Sequence, residues 1–202
     1  MREQDEPVPI HAHSRPWRDR AIVYVLLSTG LRREELVRLD LGQLAPTHPA
    51  GLRAARRARL SGVRGKGGSE RHVFLSADAR AALADYLERE RFADKNETAS
   101  ALFLTAATIR SRSSEGRFSP RAVNLVLTRI GHLHDAEMTD PARLISPLRP
   151  HDLRHTFAFN LARVTGADSF ELERRLGHRS ARYIARYTNP PEDVAASYVE
   201  DL

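Results

Sequence analysis

Between residues 52 and 76 the chain stops reading as helix. "RLSGV" (59–63) and "ERHVFLS" (70–76) flank "RGKGGS", whose glycines stand where a tight turn needs positive φ, so the segment is a β-hairpin with Lys66 at its tip. The other long apolar patterns are helical. Ala21, Ile22, Val25 and Leu26 in "WRDRAIVYVLLSTG" share one face, and Gly30 ends that helix; "LRREELVRL" starts a short second one. Ser76 caps an amphipathic helix through Phe92 carrying Leu83, Tyr86 and Leu87. "ALFLT" (101–105) is a short buried segment of either type. Ser119 and Pro120 open a helix with Val123, Val126, Leu127, Ile130 and Leu133 inward. Pro150 opens another with the stripe Leu153, Phe157, Leu161 and Val164, stopped by Gly166. "SFELERRLGH", closed by Gly177, and "SARYIARYTNPP" are two more short helices. One hairpin among helices predicts a mainly α fold with a small antiparallel β-sheet, ordered from Trp17 onward, with residues 1–16 as linker or tail.

Length and composition narrow the class further. The 202 residues, 41% of them apolar, suffice for one packed domain. Cysteine is absent, which excludes disulfides, thiolate metal sites and a cysteine nucleophile. No apolar run reaches membrane-spanning length, and the polar start is no signal peptide, so a cytoplasmic location is expected. The net charge of +6 fits a polyanionic partner such as nucleic acid, and equally a merely soluble basic protein. Among 32 basic residues only Lys66 and Lys95 are lysines. That makes each worth attention, because lysine can be tuned to release a proton and arginine cannot.

"HDLRH" at 151–155 puts two histidines one helical turn apart, the spacing of a zinc pair. Against zinc, Arg154 sets a fixed positive charge between the supposed ligands, Asp152 stands where the zincin glutamate belongs, and Glu173 is the only obvious third ligand. On these residues alone the choice between a metal and a phosphate stays open. Arg32, at the start of a helix, opposes the dipole unless an anion sits there, although a solvated surface arginine would read the same. Arg154 can point into a cleft or pair with Asp152 or Glu171. His178, and Tyr183 and Tyr187 one turn apart, carry nothing alone.

Taken in order, "TGLRREEL", "RGKGGSERHVFLS", "HDLRHTFA" and "LGHRSARYIARYT" resemble the motifs of the tyrosine recombinases, or phage-type integrases, over about residues 17–190. That family is similar in mechanism to type IB topoisomerases. The resemblance implies catalytic roles for Arg32, Lys66, His151, Arg154, His178 and Tyr187, the last lying nine residues after His178 as the family's nucleophile usually does. Tyr183 is the weaker nucleophile candidate, Glu35 resembles the acidic neighbour of the first arginine, and His155 reads as helix packing. The implied activity is site-specific cleavage and rejoining of double-stranded DNA through a 3′-phosphotyrosine, with no cofactor, metal or ATP. The implied assembly is a homo-oligomer, a tetramer on DNA, in the cytoplasm and on the nucleoid. A catalytically idle DNA-binding or regulatory relative is the alternative. Most members carry a helical core-binding domain ahead of the catalytic one, and its absence before Trp17 departs from the pattern, marking either an excised fragment or a minimal member. The tail 190–202 presents Val194, Tyr198, Val199 and Leu202 on one side and is expected to dock, in cis or in trans.

Overall fold

The computed structural model describes residues 14–65, 68–97, 99–107 and 115–177. Helix α1 (Pro16–Thr29) runs through the middle of the main core, with Ala21, Ile22, Val25 and Leu26 fully buried, and packs on α4 and α7. Its first turn is capped from far along the chain: the Glu90 carboxylate accepts the backbone N–H groups of Trp17 (3.1 Å) and Arg18 (2.8 Å). Gly30 ends α1 at φ 61°, and the reversal sends Leu31 into the core before α2 (Arg33–Val37) begins.

A three-stranded antiparallel sheet, in the order β1-β2-β3, covers one end of this core. Strands β2 (Ala58–Arg64) and β3 (Glu70–Leu75) are the expected hairpin, while β1 (Leu44–Ala45) and α3 (Pro49–Ala54) were not foreseen. Strict alternation on β2 would carry the inward face from Ala58 and Leu60 to Gly62. A bulge between Leu60 and Val63, with Gly62 at φ 63°, inserts one residue and turns Val63 inward instead. Gln43 donates to the carbonyls of Ser61 (2.8 Å) and Gly62 (2.9 Å) that the bulge exposes. Opposite, Arg71, Val73 and Leu75 share the inward face of β3, with Arg71 paired to Val63.

The Ser76 hydroxyl caps α4 (Ala77–Tyr86) as expected, accepting from the N–H of Ala79. The helix then widens into a π turn at Leu87–Arg91 before α5 (Phe92–Asp94), rather than continuing evenly. Residues 101–104 are fully buried, held by single bridges from Asp40 to Ala101 and from Leu104 to Arg117. Helix α6 (Pro120–Ala136) starts at the expected Ser119 cap, but Leu133 is solvent-exposed and Gly131 takes the inward place. A Cβ on Gly131 would stand 3.1 Å from Leu148, so the bare glycine admits the loop leading to α7.

Helices α7 (Pro150–Thr165) and α8 (Ser169–Leu176) enclose a second, smaller core of Ala158, Ala162, Leu172 and Leu176, flanked by Phe157 and Leu161. The expected stripe is therefore rotated. Small side chains at 158 and 162 let α8 approach, and Val164, 79% exposed, falls outside the contact. Gly166 and Gly177 end the two helices at φ 63° and 64°. The expected helix at 180–191 and the tail 190–202 lie outside the described residues.

The joint between the two cores is Gly30. A Cβ there would overlap the Phe157 ring and come within 3.1 Å of Leu176, at a backbone φ that side chains avoid. Gly30→Ala should lower stability by about 2–4 kcal/mol, combining left-handed strain with overpacking. Urea unfolding measures it, and pairing the substitution with Phe157→Ala should remove the steric part only.

Candidate phosphate-binding site

Three of the six expected site residues lie in described segments, and the structure brings them together. Arg32, His151 and Arg154 line one cleft of about 430 Å³, between the α1–α2 turn, α6 and the start of α7. Arg33 and Arg149 add two further guanidiniums, and no carboxylate is among the described lining residues. Lys66, His178 and Tyr187, with Tyr183, lie outside the described residues. Gly65 and Gly177, however, fix where the chain enters the first two. A larger cavity of about 810 Å³ lies beyond Glu35, but it mixes Arg38, Arg64 and Arg117 with Asp40 and Glu70. Those carboxylates make it much the poorer anion site.

Arg154 projects from the first turns of α7 and is 3% exposed. Its Nη1 donates to the carbonyl of Gly30, at the end of α1, and its Nη2 to that of Leu176, at the end of α8 (2.8 Å). Both are carbonyls that a helix C-terminus leaves over, and a cation beside them complements the helix dipole. The alternative ion pair with Asp152 or Glu171 is not the arrangement found. Asp152 accepts the Arg149 N–H (2.8 Å) to cap α7, and Glu171 pairs with Arg174 and Arg175. His151, one position into the same helix, is exposed to the cleft, and its ring meets that of His155 edge-on, centroids 4.2 Å apart.

Arg32 is the residue before α2, and Glu35 holds it twice. The carboxylate accepts the Arg32 backbone N–H (2.9 Å) and its Nη1 (3.1 Å), so the acidic neighbour named from the resemblance does orient this arginine. The same carboxylate takes a paired bond from Arg71 of β3, at 3.1 and 2.8 Å. Burial alone would push the Glu35 carboxyl up. The hydrogen bonds and charge of Arg71, joined by Arg32, outweigh it and hold the group below its ordinary value of 4.5.

Sequence reasoning missed Arg71, although a signal existed: it continues the inward row of Val73 and Leu75 on an alternating strand, where arginine needs a buried partner. It also missed Asn124, which lines the cleft from α6 with its Oδ1 buried and unpartnered among the described residues. Nothing in the pattern of α6 distinguishes that asparagine.

The described residues form a mainly helical domain with a small sheet, whose arginines converge on a cleft with no carboxylate among its described lining residues, an arrangement suited to an anion. Residues 4–193 match the model of the phage integrase family, and the chain belongs to that family. It is 30% identical over 184 residues to the tyrosine recombinase XerC of Listeria innocua, covering 91% of this chain and 53% of the relative. It is 33% identical over 181 residues to XerD of Bradyrhizobium diazoefficiens, covering 90% and 51%. The chain thus spans about half the length of the curated relatives it matches. Its fold matches the crystal structure of XerA recombinase with a TM-score of 0.65 and 25% identity, over 95% of this chain and 61% of that one. A XerH recombinase bound to its difH substrate shares the fold at 18% identity and a TM-score of 0.65, over 91% of this chain and 46% of that one.

A group whose folded pKa is depressed adds stability above its unfolded value and loses it as pH falls through the folded one. Glu35→Gln should therefore cost on the order of 2 kcal/mol at neutral pH, the worth of its charged hydrogen bonds. The gap between wild type and variant should close as pH drops below about 4.5. Denaturation curves at pH 7, 5 and 3 measure it; a gap constant over that range would mean the carboxylate charge is not what holds the two arginines.

Proposed function

We propose that this chain is the strand-cleaving part of a site-specific DNA recombinase. The observation that carries the reading is the convergence of Arg32, His151 and Arg154, from well-separated parts of the chain, on one cleft with no carboxylate among its described lining residues. Two planar guanidiniums on opposite sides of a phosphodiester can each pair with its non-bridging oxygens, where charge builds in the transition state. Arg154 has five N–H donors in a fixed fork, so it can serve helix carbonyls and phosphate at once.

In this reading the Tyr187 phenol oxygen attacks the phosphorus in line with the bond to the 5′ oxygen. The new bond is the 3′-phosphotyrosine, and the broken P–O bond releases a 5′-hydroxyl. His151 takes the phenol proton. Lys66 gives a proton to the departing oxygen, which no arginine of the chain could do at neutral pH. His178 donates a hydrogen bond to the phosphate. Reversal rejoins the strand, because the covalent link keeps the energy of the broken bond and no ATP is consumed. The reading needs neither metal nor cofactor. The relatives named XerC and XerD recombinases, and the fold shared with a Tn1549 transposon integrase in complex with circular intermediate DNA, support double-stranded DNA as the partner. A tetramer on DNA is the assembly we propose.

Incubation with a nicked suicide duplex tests the chemistry. Wild type should form a covalent adduct that survives a denaturing gel, and Tyr187→Phe should not. Arg32→Lys or Arg154→Lys should slow adduct formation by about 10²–10³-fold, since a point charge does not replace a bidentate fork. Loss of the adduct in Tyr183→Phe alone would move the nucleophile. Its absence in wild type, with DNA binding retained, would favour a catalytically idle binding relative.

Affinity gives a separate check. Because phosphate contacts dominate, this chain by itself should bind DNA weakly, losing roughly tenfold or more between about 50 and about 200 mM salt. Tight, salt-insensitive and site-specific binding in a filter or anisotropy assay would contradict that expectation.

A further inference from the structure

Arg71 lies outside the cleft but holds the support of Arg32 and touches the chain just before Lys66 and just before His178. From the inward face of β3, its Nη1 and Nη2 bond both oxygens of Glu35, the carboxylate that holds Arg32. Its Nε donates to the carbonyl of Arg175 (3.2 Å), in the last turn of α8. The plane of the guanidinium also lies against two glycines. A Cβ on Gly177 would stand 3.1 Å from its Nη1 and 3.4 Å from its Cζ, and a Cβ on Gly65 would stand 3.3 Å from Nη1. His178 follows Gly177 directly in the chain, and Lys66 follows Gly65. The side chain is 10% exposed and the Glu35 carboxylate 5%, so the pair is shielded from competing water and salt.

We infer that Arg71 is a positioning residue that fixes the turn carrying Arg32 relative to the end of α8, and so the geometry in which Arg32 meets a phosphate. A lysine at 71 could pair with Glu35 at one point but could not also span to the Arg175 carbonyl, because its donors radiate from a single atom. The fork makes three directed bonds from one rigid plane. A shift of about 1 Å among groups acting on one phosphorus is enough to cost on the order of 10²-fold in rate. The inference rests on the recombinase reading for its kinetic consequence, whereas its mechanical content concerns the free protein.

The test pairs the two. Arg71→Lys should keep DNA affinity within about threefold while single-turnover cleavage of the suicide duplex falls about 10- to 100-fold. Added guanidinium ion should raise the rate of Arg71→Ala, and ammonium should not. In the free protein, amide hydrogen exchange of Arg71→Lys should quicken together in residues 30–36 and 172–177, with exchange in the buried part of α1 unchanged. Wild-type cleavage by Arg71→Lys would overturn the inference, as would exchange unaltered at both segments. So would rate, affinity and α1 protection falling together and all recovering on cooling, which describes a merely structural side chain. If wild type itself forms no adduct, the recombinase reading fails, and the exchange experiment alone then decides whether Arg71 ties the two segments.

Discussion

Two helices of this domain end against the same side chain. Carbonyls at the C-termini of α1 and α8 both accept from Arg154, which itself rises from the start of α7. Helix ends leave carbonyls unpaired, and burying them without donors would cost on the order of 1–3 kcal/mol each. One buried guanidinium satisfies both and opposes the negative ends of both dipoles. The consequence for the site is positional. The turn that carries Arg32 begins at Gly30, so this flank of the cleft and the end of α8 are both referenced to Arg154.

Buried charge of this kind is weak evidence for stability, since an apolar replacement of matched volume often does as well or better. Its value here lies in direction. The Glu35 carboxylate is held between Arg32 and Arg71, and each oxygen accepts from both sides. A leucine cluster could fill that space, but it would fix no guanidinium plane. Arg32 keeps about a third of its side chain exposed while its far end is tethered, which suits a group that must meet a ligand without searching for it.

The fold was largely legible because its signals are local. Glycines 30, 166 and 177 stop helices where left-handed backbone is required, Ser76 and Ser119 cap where a hydroxyl reaches the third N–H, and the hairpin falls between its glycines. What was misread depends on contacts distant in sequence. Val164 fitted a stripe, but which face of α7 is buried is decided by how closely α8 packs on Ala158 and Ala162. Strand β1 is two residues long and exists only because Leu44 and Ala45 meet Leu60 and Arg59. The site divided the same way. The resemblance of four motifs to the recombinase family picked out Arg32, His151 and Arg154, which the fold does gather, and Glu35 as the acidic neighbour of the first. Arg71 escaped because its partner is 36 positions away, though its place on an inward strand row was visible.

That inward row ties the sheet to the chemistry. Side chains on a strand alternate with a period of two, so slipping β3 by one residue against β2 would turn Arg71 to solvent and bring His72 inward. The register Ala58 to Leu75, Leu60 to Val73 and Val63 to Arg71 prevents this, but it accommodates an odd residue on β2. The bulge at Gly62 absorbs that residue, and Gln43 satisfies the carbonyls it leaves over. The left-handed glycine is therefore part of what aims Arg71 at Glu35, and through Glu35 steadies Arg32. Alternation resumes at Val63, so the strand ends with Gly65 beside the Arg71 guanidinium, immediately before the lysine of the turn.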